Sequence, residues 1–218
     1  MEFAGDPPVV TQLGDNALIV SFGDVISWET GVHVRALAHA VRELRIECVT
    51  DVVPAYTSFA VYFDSGAGFA DVAHAVKAVL ARDIGIVATP SRTVEIPVRY
   101  DGIDLTFVAE QTGLTVGQVI ELHAARSYRA YMTGFAPGFT YLGELNPALV
   151  LPRRSVPRTR VPAGAVAIAG EQTAVYPLAT AGGWHLIGST DVVLFDSSRS
   201  EPALLHPGDT VRFVPVGG

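Results

Sequence analysis

Residues 128–147 read YRAYMTGFAPGFTYLGELNP, and residues 151–190 continue LPRRSVPRTRVPAGAVAIAGEQTAVYPLATAGGWHLIGST. Short runs of β-forming residues alternate in this stretch with glycines and prolines. Pro137-Gly138 suits a type II turn, in which glycine takes the positive φ, and Pro207-Gly208 repeats the pattern. Many short strands joined by such turns are typical of a closed or nearly closed β-barrel.

Within and around this stretch, the sequence predicts strands and two short helices. The predicted strands are Val94–Val98, Ala165–Ala169, Trp184–Ile187, Val192–Phe195 and Val211–Val214. Asp104 suits the N-cap of one short helix. Thr115 and Gln118 form the T-x-x-Q pattern of a capping box, which opens a second helix.

The N-terminal part reads as alternating strands and helices. The predicted elements are strands Val9–Leu13 and Ala17–Phe22, a helix capped by Ser27 and running to about Leu44, strands Cys48–Val53 and Ser58–Phe63, and a helix Phe69–Arg82. This ββαββα order, or a variant with a strand at Ile86, predicts a small sheet covered on one face by two helices. The pattern of predicted elements changes near Thr89, so we expect domains at 1–90 and 91–218.

Composition narrows the class of protein. The chain has 218 residues, 49% hydrophobic and 17% charged, with a formal net charge of -7. A phosphate-backbone binder carries a basic excess, so nucleic acid is not an expected partner. The only lysine is Lys77, on a predicted helix face, and a P-loop needs a lysine after its glycines.

The cellular setting is predicted from cysteines and apolar runs. Cys48 is the only cysteine, so no disulfide framework exists and a reducing compartment is expected. We read Cys48 as a buried thiol in a strand. No signal peptide and no apolar run long enough to cross a bilayer is visible. The sequence therefore predicts a cytoplasmic protein with no membrane contact.

Aromatic residues are unusually dense among the glycines and prolines of residues 128–190. They are Tyr131, Phe135, Phe139, Tyr141, Tyr176 and Trp184. Aromatics on rigid turns suit a concave site for a small molecule or a partner. A barrel core with tight corners explains the same pattern, and both interpretations stay open at this point.

Four segments of this stretch resemble one known family. They are GFAPGFTYLG (134–143), PRTRVPAGAVAIAG (157–170), QTAVYPL (172–178) and GGWHLIG (182–188). The chain resembles, over essentially its whole length, the B subunit of bacterial 5-oxoprolinase. That family is also called allophanate hydrolase subunit 1 and includes the Kip-type inhibitor of a sporulation histidine kinase.

The resemblance implies an α+β fold, with a small N-terminal α/β sandwich followed by a cyclophilin-like β-barrel. It implies a hetero-oligomer with a C-type subunit and an A-type subunit, which together open 5-oxoproline to glutamate with ATP, carried with Mg²⁺. Two positions depart from the family's usual pattern. Thr140 replaces a proline of GFPYLG, and Ser189 stands where an arginine commonly follows Gly188, which removes a candidate anion contact.

The candidate site residues follow from the chemistry that lactam opening requires. An activated, phosphorylated lactam oxygen needs cations, a carboxylate anchor and polar groups near the amide. The candidates are His185, Arg160 and Gln172 for catalysis; Arg158, Thr173, Tyr131, Phe135, Tyr176 and Trp184 for substrate binding; and Pro137, Phe139 and Tyr141 for the subunit interface. No metal ligand set is predicted, and His33, His39 and His74 lack metal-pair spacing.

Several of these residues have equally plain structural interpretations. Arg158 and Arg160 are planar anion binders or interface charges, while Arg153 and Arg154 are expected to be solvated. His185 either transfers a proton or is hydrogen-bonded at the barrel wall. Gln172 and Thr173 either bind an amide or close a turn.

Two other functions remain possible on the sequence. One is a regulatory module that docks on a histidine kinase through its aromatic, proline-rich surface. The other is half of a urea-carboxylase-like carboxyltransferase served by a separate biotin carrier. Autonomous allophanate hydrolysis is disfavoured, because the chain lacks an amidase nucleophile with its lysine.

Overall fold

The computed structural model describes residues 7–64, 66–82 and 92–217. The chain divides into two compact units, Met1–Thr89 and Pro90–Gly218. The predicted strand at Ile86 lies outside the described residues. None of the helices within the described ranges has the length and apolar character that crossing a membrane requires.

The first unit has the predicted ββαββα order. Its elements are β1 (Val9–Gln12), β2 (Ala17–Ser21), α1 (Trp28–Glu43), β3 (Val49–Pro54), β4 (Ser58–Phe63) and α2 (Phe69–Leu80). The strands form an antiparallel sheet in the order β1-β2-β4-β3.

The core of this unit follows from strand alternation. Leu18 and Val20 of β2 lie opposite Val61 and Phe59 of β4, and all four are fully buried against the two helices. Ser27 caps α1 as predicted, accepting a hydrogen bond from the Thr30 amide. The predicted fold class of this unit is therefore confirmed.

The second unit contains the remaining strands and two helices. Its elements are β5 (Thr93–Val98), α3 (Leu105–Thr112), α4 (Val116–Ala124), β6 (Ser127–Thr133), β7 (Thr140–Gly143), a 3₁₀ turn (Pro147–Leu149), β8 (Arg158–Val161), β9 (Ala165–Ala169), β10 (Gln172–Val175), β11 (Thr180–Gly182), β12 (His185–Ser189) and β13 (Thr210–Pro215). The capping box of Thr115 and Gln118 is present at the start of α4.

Seven of these strands form one nearly closed sheet, which confirms the predicted barrel. Their order is β12-β9-β10-β7-β6-β13-β5, and only the β13–β5 pair is parallel. The two ends meet where Arg99 and Ser189 exchange backbone hydrogen bonds of 2.9 and 2.7 Å. A Cβ at Gly188 would lie 2.5 Å from the Arg99 carbonyl oxygen, so the closure requires glycine there.

Strand β9 is buried on both faces. Val166 and Ile168 join the larger core, which is formed by the barrel strands and both helices. Ala165, Ala167 and Ala169 join a second cluster that also contains Phe139, Tyr176 and Trp184. Small alanines on this face leave room for large aromatic rings, so the aromatic residues form a second packed layer on the sheet.

Two local predictions need correction. Val192–Phe195 is not a strand but a loop with a single bridge between Phe195 and Ala203. The loop packs against the Pro137–Gly138 turn, where a Gly138 Cβ would lie 2.6 Å from the Phe195 Cβ. Cys48 is not a buried strand residue, because it precedes β3 and is only partly buried. Strands β8 and β11 form a separate two-stranded ribbon.

A chain of hydrogen bonds crosses the larger core. The Thr173 hydroxyl donates to the Ala167 carbonyl (3.0 Å), so its oxygen accepts from Nε2–H of His123 (2.9 Å). Nδ1 of His123 then accepts from the Tyr100 hydroxyl at 2.8 Å. Burial lowers the pKa of His123 to about 3 and raises the pKa of Tyr100.

This buried histidine predicts a pH dependence of stability. An unfolded histidine has a pKa near 6.5, so the unfolded chain takes up a proton that native His123 excludes. The contribution of His123 is complete above pH of about 6.5 and is lost as the pH falls toward 3. We expect the free energy of unfolding of this unit to fall by up to roughly 1.4 kcal/mol per pH unit in that window.

Urea denaturation between pH 7 and pH 5 measures this slope. Trp184 and Trp28 are the chain's two tryptophans, so Trp184 emission in a Trp28→Phe background reports on the second unit. The slope should shrink in His123→Gln and persist in His74→Gln, whose histidine is exposed on α2. An unchanged slope in His123→Gln would contradict this assignment.

Candidate functional site

Five aromatic side chains pack together on the second layer of the sheet, and we call them the aromatic cluster: Phe135, Phe139, Tyr141, Tyr176 and Trp184. Phe139 is its centre, with ring centroids 4.9–5.8 Å from those of the other four, all in edge-on geometry. Phe139 is 2% exposed. It therefore holds the cluster together from inside and offers no surface for the interface contact predicted for it.

Phe135 is the exposed member of the aromatic cluster. Its side chain is 61% exposed, and its backbone has φ 71°, a conformation that non-glycine residues rarely adopt. Its ring meets Phe139 edge-on at 5.3 Å. A strained backbone that presents a large apolar ring to solvent is typical of a binding site. Pro137, two residues on, is also exposed.

Tyr176 requires the glycine at position 182, two residues before Trp184. A Cβ at Gly182 would lie 2.2 Å from the Tyr176 hydroxyl oxygen, so only glycine lets this hydroxyl reach the strand. Tyr176 is almost fully buried, and burial raises its pKa. Tyr176 therefore forms the floor of the aromatic cluster, while Tyr141 is half-buried at its side.

His185 is fixed at the barrel wall. Its Nε2–H donates to the Pro152 carbonyl at 2.9 Å, and its ring stacks on Phe107 of α3 with centroids 5.4 Å apart. The side chain is buried, and Nδ1 has no hydrogen-bond partner within the described ranges. The ring of His185 is therefore held between the Pro152 carbonyl and Phe107.

Arg158 and Arg154 converge on the buried carboxylate of Asp104. Arg158 lies 2.7 Å and Arg154 3.2 Å from the same Asp104 oxygen. The other oxygen accepts from the Leu186 amide at 2.7 Å. The prediction that Arg154 is solvated is therefore wrong. Asp104 stands at the N-cap of α3, but its side chain makes no capping hydrogen bond, because these contacts use its carboxylate.

The remaining predicted residues are scattered. Arg160 is exposed on β8 and makes no ion pair with any residue that the structure describes. Thr173 is fully buried and hydrogen-bonded in the core, where no substrate reaches it. Tyr131 is buried with its hydroxyl donating to Glu144 at 3.1 Å, and Gln172 opens β10 in register with Ala169.

The structure thus brings together two groups of predicted site residues, the aromatic cluster and Arg158. Trp184 links these two groups, because its ring packs in the aromatic cluster while its carbonyl lies 3.5 Å from Arg158. His185 follows it in the chain. Within the described ranges, no group of three or more His, Cys, Asp or Glu side chains is arranged to hold a metal ion.

Sequence reasoning missed three participants, which are Asp104, Arg154 and Phe107. Asp104 lies 50 residues from Arg154 and 82 from Leu186, so local patterns carry no information on these contacts. One signal was present, since the arginines at 153, 154, 158 and 160 are the chain's local basic cluster. Any of these arginines that the fold buries needs a buried acid or a bound anion as a partner.

Comparison with known proteins identifies the class. Residues 8–205 match the family described as carboxyltransferase domain, subdomain C and D. The chain is 38% identical to the B subunit of 5-oxoprolinase from Bacillus subtilis (strain 168), covering 95% of this chain and 92% of that protein. It is 57% identical to the B subunit of 5-oxoprolinase from Escherichia coli O157:H7 over 57% of this chain and 59% of that one.

The chain therefore belongs to the carboxyltransferase subdomain C and D family, and within it to the family of 5-oxoprolinase B subunits. Among solved structures, TTHA0988 aligns with a TM-score of 0.80 and 41% identity over 93% of this chain, which spans 40% of the length of TTHA0988. Kluyveromyces lactis urea carboxylase aligns with a TM-score of 0.80 at 19% identity, over 96% of this chain and 22% of that one. At that identity the likeness shows the fold alone.

The positive φ of Phe135 predicts an unusual order of stability. Where the backbone is left-handed, glycine carries no Cβ penalty, so Phe135→Gly should be more stable than Phe135→Ala by roughly 1 kcal/mol. At Thr159, an exposed position of β8, glycine should instead be the less stable of the two. Urea denaturation of the four variants checks this. If the alanine variant is the more stable one at both positions, strain at Phe135 is ruled out.

Proposed function

We propose that this chain is the B subunit of an ATP-dependent 5-oxoprolinase, which opens 5-oxoproline to glutamate together with a C-type and an A-type subunit. The named relatives support the enzyme class. The observation that carries the proposal is Phe135, a strained and exposed aromatic on a rigid aromatic cluster. Such a ring is suited to be covered by a partner chain or a small molecule.

The chemistry of lactam opening fits a site shared between chains. Hydrolysis of the five-membered ring is uphill without ATP, so the lactam oxygen is activated as a phosphoryl derivative. This chain can contribute guanidinium groups that neutralise an oxyanion and aromatic faces that exclude water. The nucleophile and the nucleotide-binding loop are expected from the partner subunits.

The residues present fit part of what ATP requires. Arg153 and Arg160 are exposed, and neither has a carboxylate within ion-pair distance in the described part of the chain, which suits contact with a phosphoryl oxygen. In the proposed complex Mg²⁺ would arrive on the ATP phosphates. When bound, ATP supplies the phosphoryl group that activates the lactam oxygen.

Each candidate residue has a different role in this proposal. Arg160 contacts an anionic group of the reactants. Tyr176 and Trp184 form the buried floor of the aromatic cluster and Phe135 its exposed rim. His185 donates a hydrogen bond to the Pro152 carbonyl, so it shapes the loop before Arg154.

Reconstitution tests the proposal directly. The chain should be inactive alone, and should support 5-oxoproline-dependent ATP hydrolysis and glutamate release when mixed with its C-type and A-type subunits. Activity of the isolated chain would rule out a shared site. Binding to a sensor histidine kinase in place of a C-type subunit would instead support the regulatory alternative.

Substitution of Arg160 distinguishes a role in catalysis from a role in assembly. If its guanidinium neutralises a reactant anion, Arg160→Ala should lower kcat/KM of the reconstituted complex by about tenfold, or ~1.4 kcal/mol, while leaving assembly unchanged. Arg212→Ala is the matched control, because Arg212 is an exposed arginine already paired with Glu95 at 3.3 Å. Size-exclusion chromatography that shows loss of the complex in Arg160→Ala would assign Arg160 to the interface.

A further inference from the structure

Asp104, Arg154 and Arg158 form a charged group whose charges do not balance, and we call it the Asp104 triad. Two guanidinium groups share one oxygen of a single carboxylate. Neither arginine has another carboxylate within ion-pair distance among the described residues. The triad therefore carries a surplus of one positive charge.

The surplus lies in a poorly solvated place. The side chains of Asp104, Arg158 and Arg154 are 6%, 18% and 31% exposed. A charge taken out of water without a counter-charge is costly, because the low-dielectric surroundings replace only part of its hydration. An arrangement of this kind is stabilised by an anion that approaches from the exposed side of the arginines.

One hydrogen-bond donor of the triad is unused. Nε–H of Arg154 is buried and has no acceptor within the described part of the chain. Buried donors are nearly always paired, and the charged donor of a guanidinium gains most from an oxyanion. The unused donor and the surplus charge are independent observations, and both indicate a missing acceptor of negative charge.

The triad is also held rigidly. Asp104 and Leu186 exchange two hydrogen bonds, since the Asp104 amide donates to the Leu186 carbonyl at 2.9 Å and the Leu186 amide donates to the carboxylate at 2.7 Å. The Arg154 amide donates to the Gly183 carbonyl at 2.8 Å. The two arginines are therefore preorganised, so an anion would bind without a large ordering cost.

We propose that Arg154 and Arg158, held in place by Asp104, form a subsite that binds an oxyanion group, a carboxylate or a phosphoryl, of a small anionic ligand. Its use for 5-oxoproline or for a phosphoryl intermediate rests on the proposed function, whereas the subsite itself does not. Asp104 is a positioning residue in this subsite, because it contacts the arginines and not the ligand.

The Arg154 Nε–H resonance of the isolated, ¹⁵N-labelled chain tests the subsite. Titration with 5-oxoproline and, separately, with inorganic phosphate, at ionic strength matched with sodium chloride, should shift this resonance saturably for at least one of them. The probe that shifts it identifies a carboxylate or a phosphoryl preference. No saturable shift with either probe would overturn the proposal.

Variants then assign the binding. Arg154→Gln should weaken the affinity for the active probe by about tenfold or more, which is the typical effect of losing a charge-assisted hydrogen bond. Arg212→Gln removes the same charge from an exposed pair and should leave the affinity within about twofold. Equal losses in both variants would reduce the effect to net charge and overturn the proposal.

Asp104→Asn distinguishes positioning from simple electrostatics by the sign of its effect. The variant keeps an oxygen for the Leu186 amide but removes a negative charge, so electrostatics alone predicts tighter anion binding. Positioning predicts weaker binding, because the two arginines lose their shared anchor. Tighter binding would overturn the role of Asp104, and Trp184 emission in the Trp28→Phe background confirms that the variant is folded.

Failure of the subsite and failure of the proposed function give different results. A reconstituted complex that opens 5-oxoproline with an unchanged KM and kcat in Arg154→Gln keeps the function and overturns the use of the subsite in that reaction. Saturable anion binding that depends on Arg154, in a chain whose complex has no 5-oxoprolinase activity, keeps the subsite and overturns the function.

Discussion

The second unit depends on the contact between residues 101–104 and β12. A Cβ at Gly102 would lie 2.3 Å from the Leu186 carbonyl oxygen, so only glycine lets the two backbones approach. The approach brings Asp104 into a two-way hydrogen bond with Leu186. Helix α3 begins at Leu105, and this contact therefore fixes where the helix starts on the barrel.

The features of the candidate site follow from that contact. Because α3 starts there, Phe107 reaches His185 and covers its ring. Because the Asp104 carboxylate faces β12, it meets Arg154 and Arg158 from a part of the chain 50 residues away. The close backbone approach that Gly102 allows thus positions the Asp104 carboxylate, its two arginine partners and His185 together.

The sequence was informative where a local rule determines the structure. The helix caps at Ser27 and Thr115 follow from short polar patterns, and the positive φ at Gly138 follows from Pro-Gly. A short apolar run bounded by turn residues predicts strands such as Ala165–Ala169 well. These features are decided within a few residues, so no knowledge of distant contacts is needed.

Local rules fail where one interaction replaces another. Asp104 has the right position and residue type for a cap, yet distant arginines and the Leu186 amide use its carboxylate. Thr173 looks like a polar turn residue, but strand alternation on β10 points it into the core, where His123 needs an acceptor. Both errors arise because a polar side chain goes to the strongest available partner, which sequence proximity does not reveal.

The location of polar groups separates stability from function in this unit. The chain from Tyr100 through His123 to Ala167 is closed, since every donor in it has an acceptor and every proton has a fixed place. The Asp104 triad is open, because one donor and one positive charge have no partner among the described residues. A closed polar network stabilises a unique core, whereas an open one lowers its free energy only when a ligand or partner completes it. The open group lies beside Trp184 and the aromatic cluster, so the incomplete polar contacts and the strained aromatic occur in the same part of the barrel, where a second molecule would complete both.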